Sequence, residues 1–197
     1  MGSFADIAGD LIRIYYHLTF ENGRQQYLQT SGIPFFQQLE VLFPNHHDNK
    51  RVAELFESRK LSAFLSEELP EKTHETLGWL RRKGIKTAIS SNNFEHLVSE
   101  FCRRENISVD AALGFRPGFA KGTPHFSFLK DQFGIGFQQM MFVGDSLKDA
   151  DLAKENGIRF VARLGTFSKE DFVSHNAGQP IESVHEIYEI VELLESS

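Results

Sequence analysis

Cysteine is almost missing from this sequence, since Cys102 is the single thiol among 197 residues. The chain can therefore form no internal disulfide, and we expect a reducing, cytoplasmic environment. No apolar run approaches the roughly 20 residues that a membrane-spanning helix needs, and the first residues do not have the charged-then-apolar order of a signal peptide. These absences predict a protein with no membrane partner.

Positive charge is also scarce, because 21 lysines and arginines stand against 27 acidic residues and give a formal net charge of −6. Proteins that bind nucleic acid usually neutralise phosphates with clustered basic side chains. The dense basic run Arg81-Arg82-Lys83 ends a predicted helix, where it complements the carbonyl end of the helix dipole. We therefore expect no nucleic-acid partner.

The first 70 residues have the periodicity of helices. Apolar side chains recur at i, i+3, i+4 and i+7, as in Leu11, Ile14, Tyr15 and Leu18. Turn-forming residues interrupt the pattern near 21–23, 31–34 and 43–45. The pattern predicts about four short helices in a domain spanning 1–70, the last helix running from Asp48 to Leu69.

After Pro70 the pattern changes to short apolar runs that alternate with helical segments, which is typical of a parallel sheet with crossover helices. The sequence predicts an α/β domain over 71–197. Its strands are expected at 85–89, 109–113, 140–143 and 159–162, and its helices at 73–83, 95–104, 126–133, from 148 onwards and at 182–194.

Polar residues that follow these strands are the candidate site, because ligands of an open α/β sheet bind at the carboxyl ends of the strands. Asp145 and Asp149 can supply oxygen ligands to a hard cation, although both residue types also cap helices. Ser91 and Asn92 can donate to a phosphate, although they are common turn formers. The ammonium of Lys121 can neutralise a phosphate, and the alternative is a solvated loop lysine.

Three stretches in this order resemble the second, third and fourth motifs of the haloacid dehalogenase-like (HAD) hydrolase superfamily. They are IKTAISSNN at 85–93, GFAKGTPHF at 118–126 and FVGDSLKDADLAKENGI at 142–158. The helical front is similar to the small cap domain of the phosphoglycolate phosphatase-like branch. The resemblance implies a Rossmann-like HAD core with an all-helical cap at its N-terminus. It also implies a phosphatase that uses Mg²⁺ and an aspartyl-phosphate intermediate to hydrolyse a small phosphorylated metabolite.

The resemblance also implies a role for each candidate residue. Ser91 and Asn92 would bind the transferring phosphoryl group, and Lys121 would offset its charge. Asp145 would hold Mg²⁺, and Asp149 would orient the metal shell or Lys121. These roles agree with the general logic of phosphoryl transfer, which depends on positioning and on charge stabilisation by a metal and a cation.

The first motif of the family, a nucleophilic Asp in an Asp-x-Asp-Gly pattern after an apolar strand, has no match here. The closest string surrounds Asp6, but the helical stripe continues through this segment, so we expect Asp6 on the polar side of a helix. Its strand would lie between the strands that end at Ser91 and Asp145. Without it, those neighbours must pair again or leave backbone groups unsatisfied.

Two explanations fit the missing motif: a fragment that begins just after it, which the start MGSF favours, or strand exchange in an oligomer. In either case we expect impaired phosphatase activity, because covalent catalysis needs the attacking carboxylate. Whether this chain alone is an enzyme stays open. The alternatives are an inactive regulatory module that binds Mg²⁺ and phosphate, and a phosphoglucomutase-like isomerase.

His46 and His47 invite a metal-binding hypothesis. Adjacent side chains are expected to diverge, however, and no third ligand is evident. The sequence therefore favours a polar loop at this position.

Overall fold

The computed structural model of this protein describes residues 4–64 and 69–196. The chain divides into two compact units, Met1–Glu68 and Leu69–Ser197. The first unit is helical and the second alternates helices with parallel strands, which confirms the predicted fold class. Among the described residues, no helix is long and apolar enough to cross a membrane.

The helical unit consists of four described helices, as the periodicity predicted. They are α1 (Phe4–Tyr16), α2 (Phe20–Gln29), α3 (Phe35–Leu42) and α4 (Asn49–Phe64). The apolar stripe of α1 packs with α3 and α4 to form a core of Ala8, Leu11, Ile12, Phe35, Leu39, Val52, Ala53 and Phe56. Burial of this stripe stabilises helices that would be marginal alone.

The predicted break at 21–23 is wrong, because α2 runs through it. The chain turns earlier, at His17, whose φ is 57°, and Thr19 then caps α2 by accepting a hydrogen bond from the Asn22 N–H at 3.2 Å. A Cβ on Gly23 would lie 3.0 Å from Ile12 Cβ, so this glycine serves the close packing of α2 on α1. The last predicted helix, Asp48 to Leu69, corresponds to α4, which is described as far as Phe64. The rest of its predicted length includes residues 65–68, which lie outside the described residues.

The α/β unit has the predicted alternation. Its elements are α5 (Glu71–Arg82), β1 (Ala88–Phe94), α6 (Glu95–Arg104), β2 (Ala111–Phe115), α7 (Thr123–Phe133), β3 (Met141–Gly144), α8 (Leu147–Asn156), β4 (Arg159–Arg163), α9 (Lys169–His175), β5 (Glu182–Val184) and α10 (Ile190–Glu195). The bounds of α6 agree with the predicted helix, and β1 begins three residues later than expected.

The predicted closing helix at 182–194 is wrong in its first half. Residues 182–184 form β5, which pairs in parallel with β4, and the helix α10 begins only at Ile190. Val184 is buried beside Val161, and Glu182 forms two 2.7 Å hydrogen bonds with Arg159 of β4. These contacts with a distant segment override the helical pattern of the local sequence.

The strands form two separate parallel sheets in the described part of the chain. One sheet is β1-β2 and the other is β3-β4-β5, so β1 and β3 each have one pairing neighbour. Helix α7 contacts both sheets. Its His125 forms a hydrogen bond with Ser90 of β1, and its Phe126 packs on Phe142 of β3. Among the described strands, β1 and β3 therefore do not pair with each other.

The expectation that His46 and His47 diverge is wrong. Their rings stack with centroids 4.5 Å apart, and Asp48 supplies a third potential ligand that the sequence reading overlooked. The short loop between α3 and α4 turns through Asn45, whose φ is 57°. One ligand atom from each of the three side chains lies within 4.8 Å of the other two.

Candidate active site

Asp149 is positioned by the junction between β3 and α8. Ser146 is the N-cap of α8, and its hydroxyl accepts a hydrogen bond from the Asp149 N–H at 3.1 Å. A Cβ on Gly144 would lie 2.6 Å from Asp149 Cβ, so the absence of a side chain there lets the carboxylate pack against the end of β3. Asp149 is only 1% exposed. Because Ser146 provides the cap, the Asp149 carboxylate is left for another partner.

That partner is Lys121. Its Nζ lies 2.7 Å from Asp149 Oδ1, and the lysine side chain is itself largely buried. The backbone N–H of Lys121 donates to Asn92 Oδ1 at 3.1 Å, which ties the loop after β2 to the end of β1. The structure therefore joins three of the predicted residues, and Lys121 is not a solvated loop lysine.

Ser91 lies in a distorted part of β1, where the pairing register with β2 shifts between Ser90 and Phe94. Its hydroxyl oxygen accepts a hydrogen bond from the Asn93 N–H at 3.0 Å. A serine hydroxyl that accepts one bond still carries its own hydrogen. Ser91 is half-buried and can donate that hydrogen to an anion at the strand end.

Asp145 directly follows β3 and is exposed. Its Oδ2 accepts a hydrogen bond at 3.2 Å from Thr166, which follows β4. A carboxylate that is open to solvent is a suitable ligand for Mg²⁺, because this ion prefers oxygen ligands and keeps several of its waters. Asp149 fits this role less well because Lys121 already pairs with it. The donor set thus suits a cation at Asp145, whereas Asp149 is paired with Lys121.

His125 and Thr166 were missed by the sequence reading. His125 lies near the start of α7, is fully buried, and pairs through Nδ1 with Ser90 Oγ at 2.9 Å. Burial, aided by the nearby charges of Lys121 and Arg116, lowers the pKa of His125 to about 4. Neither residue follows a strand directly in the predicted element pattern, so no simple rule would have singled them out.

Asp6 lies within α1, as the helical stripe predicted. Its Oδ1 accepts a hydrogen bond at 3.0 Å from Arg24 Nε on α2. The carboxylate therefore belongs to a contact between two helices of the first unit and does not follow a strand.

An alternating α/β unit with polar side chains gathered at the carboxyl ends of parallel strands defines a protein of the Rossmann-like class. The sequence narrows this class to one family, because residues 4–157 match the haloacid dehalogenase-like hydrolase family. The chain belongs to this family, and the resemblance seen in its motifs is confirmed. No curated protein sequence matches the chain.

Solved structures with the same fold include a candidate phosphoglycolate phosphatase from Lactobacillus delbrueckii subsp. bulgaricus. It is 18% identical with a TM-score of 0.76, and the alignment covers 97% of this chain and 91% of that one. A haloacid dehalogenase-like hydrolase from Streptococcus pneumoniae is 15% identical, with a TM-score of 0.73 and coverage of 98% and 92%. A predicted phosphoglycolate phosphatase from Haemophilus somnus is 17% identical, with a TM-score of 0.70 and coverage of 98% and 92%.

Proposed function

We propose that the α/β unit is the catalytic frame of a Mg²⁺-dependent phosphatase that acts on small phosphomonoesters. The observation that carries this proposal is the buried ion pair of Lys121 and Asp149, which also holds Asn92 through the lysine backbone. A buried, oriented ammonium at the edge of a parallel sheet suits a phosphoryl group. The names of the structural neighbours from Lactobacillus delbrueckii and Haemophilus somnus support the same substrate class.

Each site residue has a proposed role that follows from its charge and position. Lys121 would neutralise the transferring phosphoryl group, with Ser91 donating a hydrogen bond to it and Asn92 fixing the loop that carries the lysine. Asp149 would keep the lysine ammonium in place. Asp145 would hold Mg²⁺, which supplies positive charge beside the phosphoryl oxygens when bound.

We further propose that turnover by this chain depends on a third, nucleophilic carboxylate besides those of Asp145 and Asp149, one that the described residues do not place at this edge of the sheet. Asp6 is engaged with Arg24 in the helical unit, and no described strand lies between β1 and β3. An extended segment of about five residues pairing in parallel with both edges would fill such a position. A second copy of the chain or an added peptide could supply it.

Ligand binding tests the site independently of turnover. We expect inorganic phosphate to bind in the presence of Mg²⁺. Lys121→Met should weaken this binding more than about tenfold because it removes the cation that contacts the phosphate, and Asp145→Asn should do so because it removes the carboxylate that holds Mg²⁺. Asp151→Asn is the matched control, because it removes an acidic side chain of α8 that pairs with His175. Titration calorimetry measures the binding, and circular dichroism checks folding. Equal binding by all four proteins would refute the proposed site.

Turnover tests the role of the carboxylate. We expect hydrolysis of an aryl phosphate near background for the chain alone, and a rise when a synthetic apolar peptide that ends in Asp-x-Asp is added. A peptide ending in Asn-x-Asn is the control. If the chain alone is active and Asp6→Asn abolishes this activity, Asp6 is the nucleophile and the proposed dependence on a further segment is wrong.

A second candidate function is a binding module that holds Mg²⁺ and phosphate without hydrolysis. The observation that favours it is that β1 and β3 each pair on one side only among the described strands. Phosphate binding without turnover, even with the Asp-x-Asp peptide, would support this function over the enzyme.

A further inference from the structure

We propose that His46, His47 and Asp48 bind a divalent transition-metal ion of the zinc class in the loop between α3 and α4. This site lies in the helical unit and is independent of the phosphatase proposal. It uses two imidazoles and one carboxylate, a donor set distinct from the oxygen ligands at Asp145.

The three side chains already lie close together. One ligand atom from each residue lies within 4.8 Å of the other two. His47 Nε2 is 3.2 Å from Asp48 Oδ2, and His46 Nδ1 is 4.0 Å from the same oxygen. Ligand atoms around a tetrahedral zinc ion are about 3.3 Å apart, because each bond to zinc is about 2.0–2.1 Å long. The 3.2 Å contact of His47 with Asp48 already matches this spacing, and the 4.0 Å contact of His46 with Asp48 must shorten by about 0.7 Å.

The backbone of the loop is fixed by a buried amide. Asn49, which is 4% exposed, donates to the carbonyl of Phe43 and to Glu40 Oε1, both at 2.8 Å. Its Oδ1 accepts a hydrogen bond from the Tyr16 hydroxyl at 2.7 Å. Glu40 Oε2 also accepts from the Asn45 N–H at 3.2 Å. The loop is thus organised before any metal binds, which lowers the entropic cost of binding.

His46 is held in the same way. Its ring packs against the ring of Tyr16 with centroids 4.8 Å apart, and Tyr16 stacks in turn on Phe43 at 3.9 Å. The Asp48 N–H donates to His46 Nδ1 at 3.3 Å, a long hydrogen bond that a metal ion on this nitrogen would replace. The ring packing holds the imidazole in place before an ion binds, which lowers the entropic cost of binding.

The local charge favours a cation. Two carboxylates belong to this loop region, since Glu40 accepts hydrogen bonds from the Asn45 N–H and the Asn49 amide, and Asp48 lies beside both imidazoles. A cation bound between the imidazoles and Asp48 would offset part of this negative charge.

The donor set selects the metal. Imidazole nitrogens suit zinc, copper, nickel and iron, whereas Mg²⁺ and Ca²⁺ prefer oxygen ligands. Three protein ligands leave one tetrahedral position for water, and the 84% exposed His47 places this position at the surface. The ion would tie the end of α3 to the start of α4.

The test is a calorimetric titration of the untagged full chain with Zn²⁺ in the presence of excess Mg²⁺. The absorption spectrum of bound Co²⁺ then shows whether the coordination is tetrahedral. We expect one ion per chain. His47→Ala and Asp48→Asn should each weaken binding more than about tenfold, since even contacts outside the ligand shell are worth that much. Because His47 is exposed, its removal should leave folding unchanged.

His175→Ala is the matched control. His175 Nε2 lies 2.7 Å from Asp151 Oδ1, so this pair repeats the His–Asp contact, and no third ligand joins it among the described residues. Zinc binding should survive this substitution, and it should also survive Asp145→Asn. Failure of the parent to bind Zn²⁺ would overturn the proposal. So would binding that His47→Ala and Asp48→Asn leave intact, because the ion would then occupy another place.

Discussion

Asp149 keeps a carboxylate in a position that is 1% exposed, and Lys121 is the residue that makes this burial tolerable. Removing one partner of a buried ion pair leaves an uncompensated charge, whereas removing both can be nearly neutral. The fold therefore depends on both members of the pair being present. Removing either residue alone should therefore cost more stability than removing both.

We predict that Lys121→Met lowers the free energy of unfolding by about 3 kcal/mol at neutral pH, because it leaves the Asp149 carboxylate buried without a partner. The double variant Lys121→Met/Asp149→Asn should recover more than half of this loss. Urea unfolding of the parent, both single variants and the double variant measures the coupling. Additive effects would show that the two groups do not interact.

His125 gives the α/β unit a pH dependence. Because its pKa is lowered to about 4 in the folded protein, the unfolded chain binds more protons between pH 6.5 and 4. The contribution of neutral His125 is therefore full above pH 6.5 and is lost as the pH falls towards 4. The loss amounts to no more than about 3 kcal/mol.

We predict that His125→Gln flattens the fall in unfolding free energy between pH 6.5 and 4, whatever its effect at pH 7. His74→Gln, at an exposed position on α5, is the control and should keep the slope of the parent. Urea unfolding at several pH values measures the slope, and NMR titration of the imidazole gives its pKa directly. An imidazole that titrates near 6.5 would contradict this account.

At the scale of elements, the turn from β3 into α8 has space for no side chain at Gly144. A Cβ there would lie 2.6 Å from Asp149 Cβ and 2.7 Å from its Oδ2, so either the helix or the carboxylate must move. The turn thus couples the position of α8 to the geometry of the ion pair.

We predict that Gly144→Ala lowers the free energy of unfolding by about 1–3 kcal/mol through overpacking and weakens phosphate binding. Gly78→Ala is the control, because Gly78 lies inside α5 and its nearest contact to a new Cβ is 3.4 Å, from the Arg82 side chain. That change should raise stability by up to about 1 kcal/mol, since alanine favours helix. Urea unfolding compares the two. Equal stability of both variants would mean that α8 can shift without cost.

The elements that the sequence predicted correctly are those whose burial pattern is local. Helix α6 has matching bounds because its apolar positions repeat at helical spacing and stop at basic residues. Strand β5 was predicted as helix because its place depends on pairing with β4, which no local pattern encodes. In the site, Asp145, Asp149 and Lys121 follow motif spacing, whereas the contacts of His125 and Thr166 exist only in the folded chain.

At the scale of the whole molecule, the strand pairing of the α/β unit is uneven. Strand β4 pairs on both sides, with β3 and β5, and its Val161 and Ala162 are fully buried. Strands β1 and β3 each pair on one side among the described residues, and Ala88 of β1 is exposed. Backbone groups that lack a partner gain stability from pairing, so these two edges favour contact with a further strand.

We predict that amide hydrogens of β4 exchange at least about tenfold more slowly than those of β1 and β3, because local opening of a singly paired strand breaks fewer bonds. Strand β5, which also pairs on one side, is the control and should exchange like β3. Hydrogen exchange followed by NMR gives each rate. If β1 and β3 are instead as protected as β4, a further strand pairs with both edges in solution. Loss of this protection on dilution would identify a second copy of the chain as its source, and protection that is independent of concentration would place the pairing within one chain.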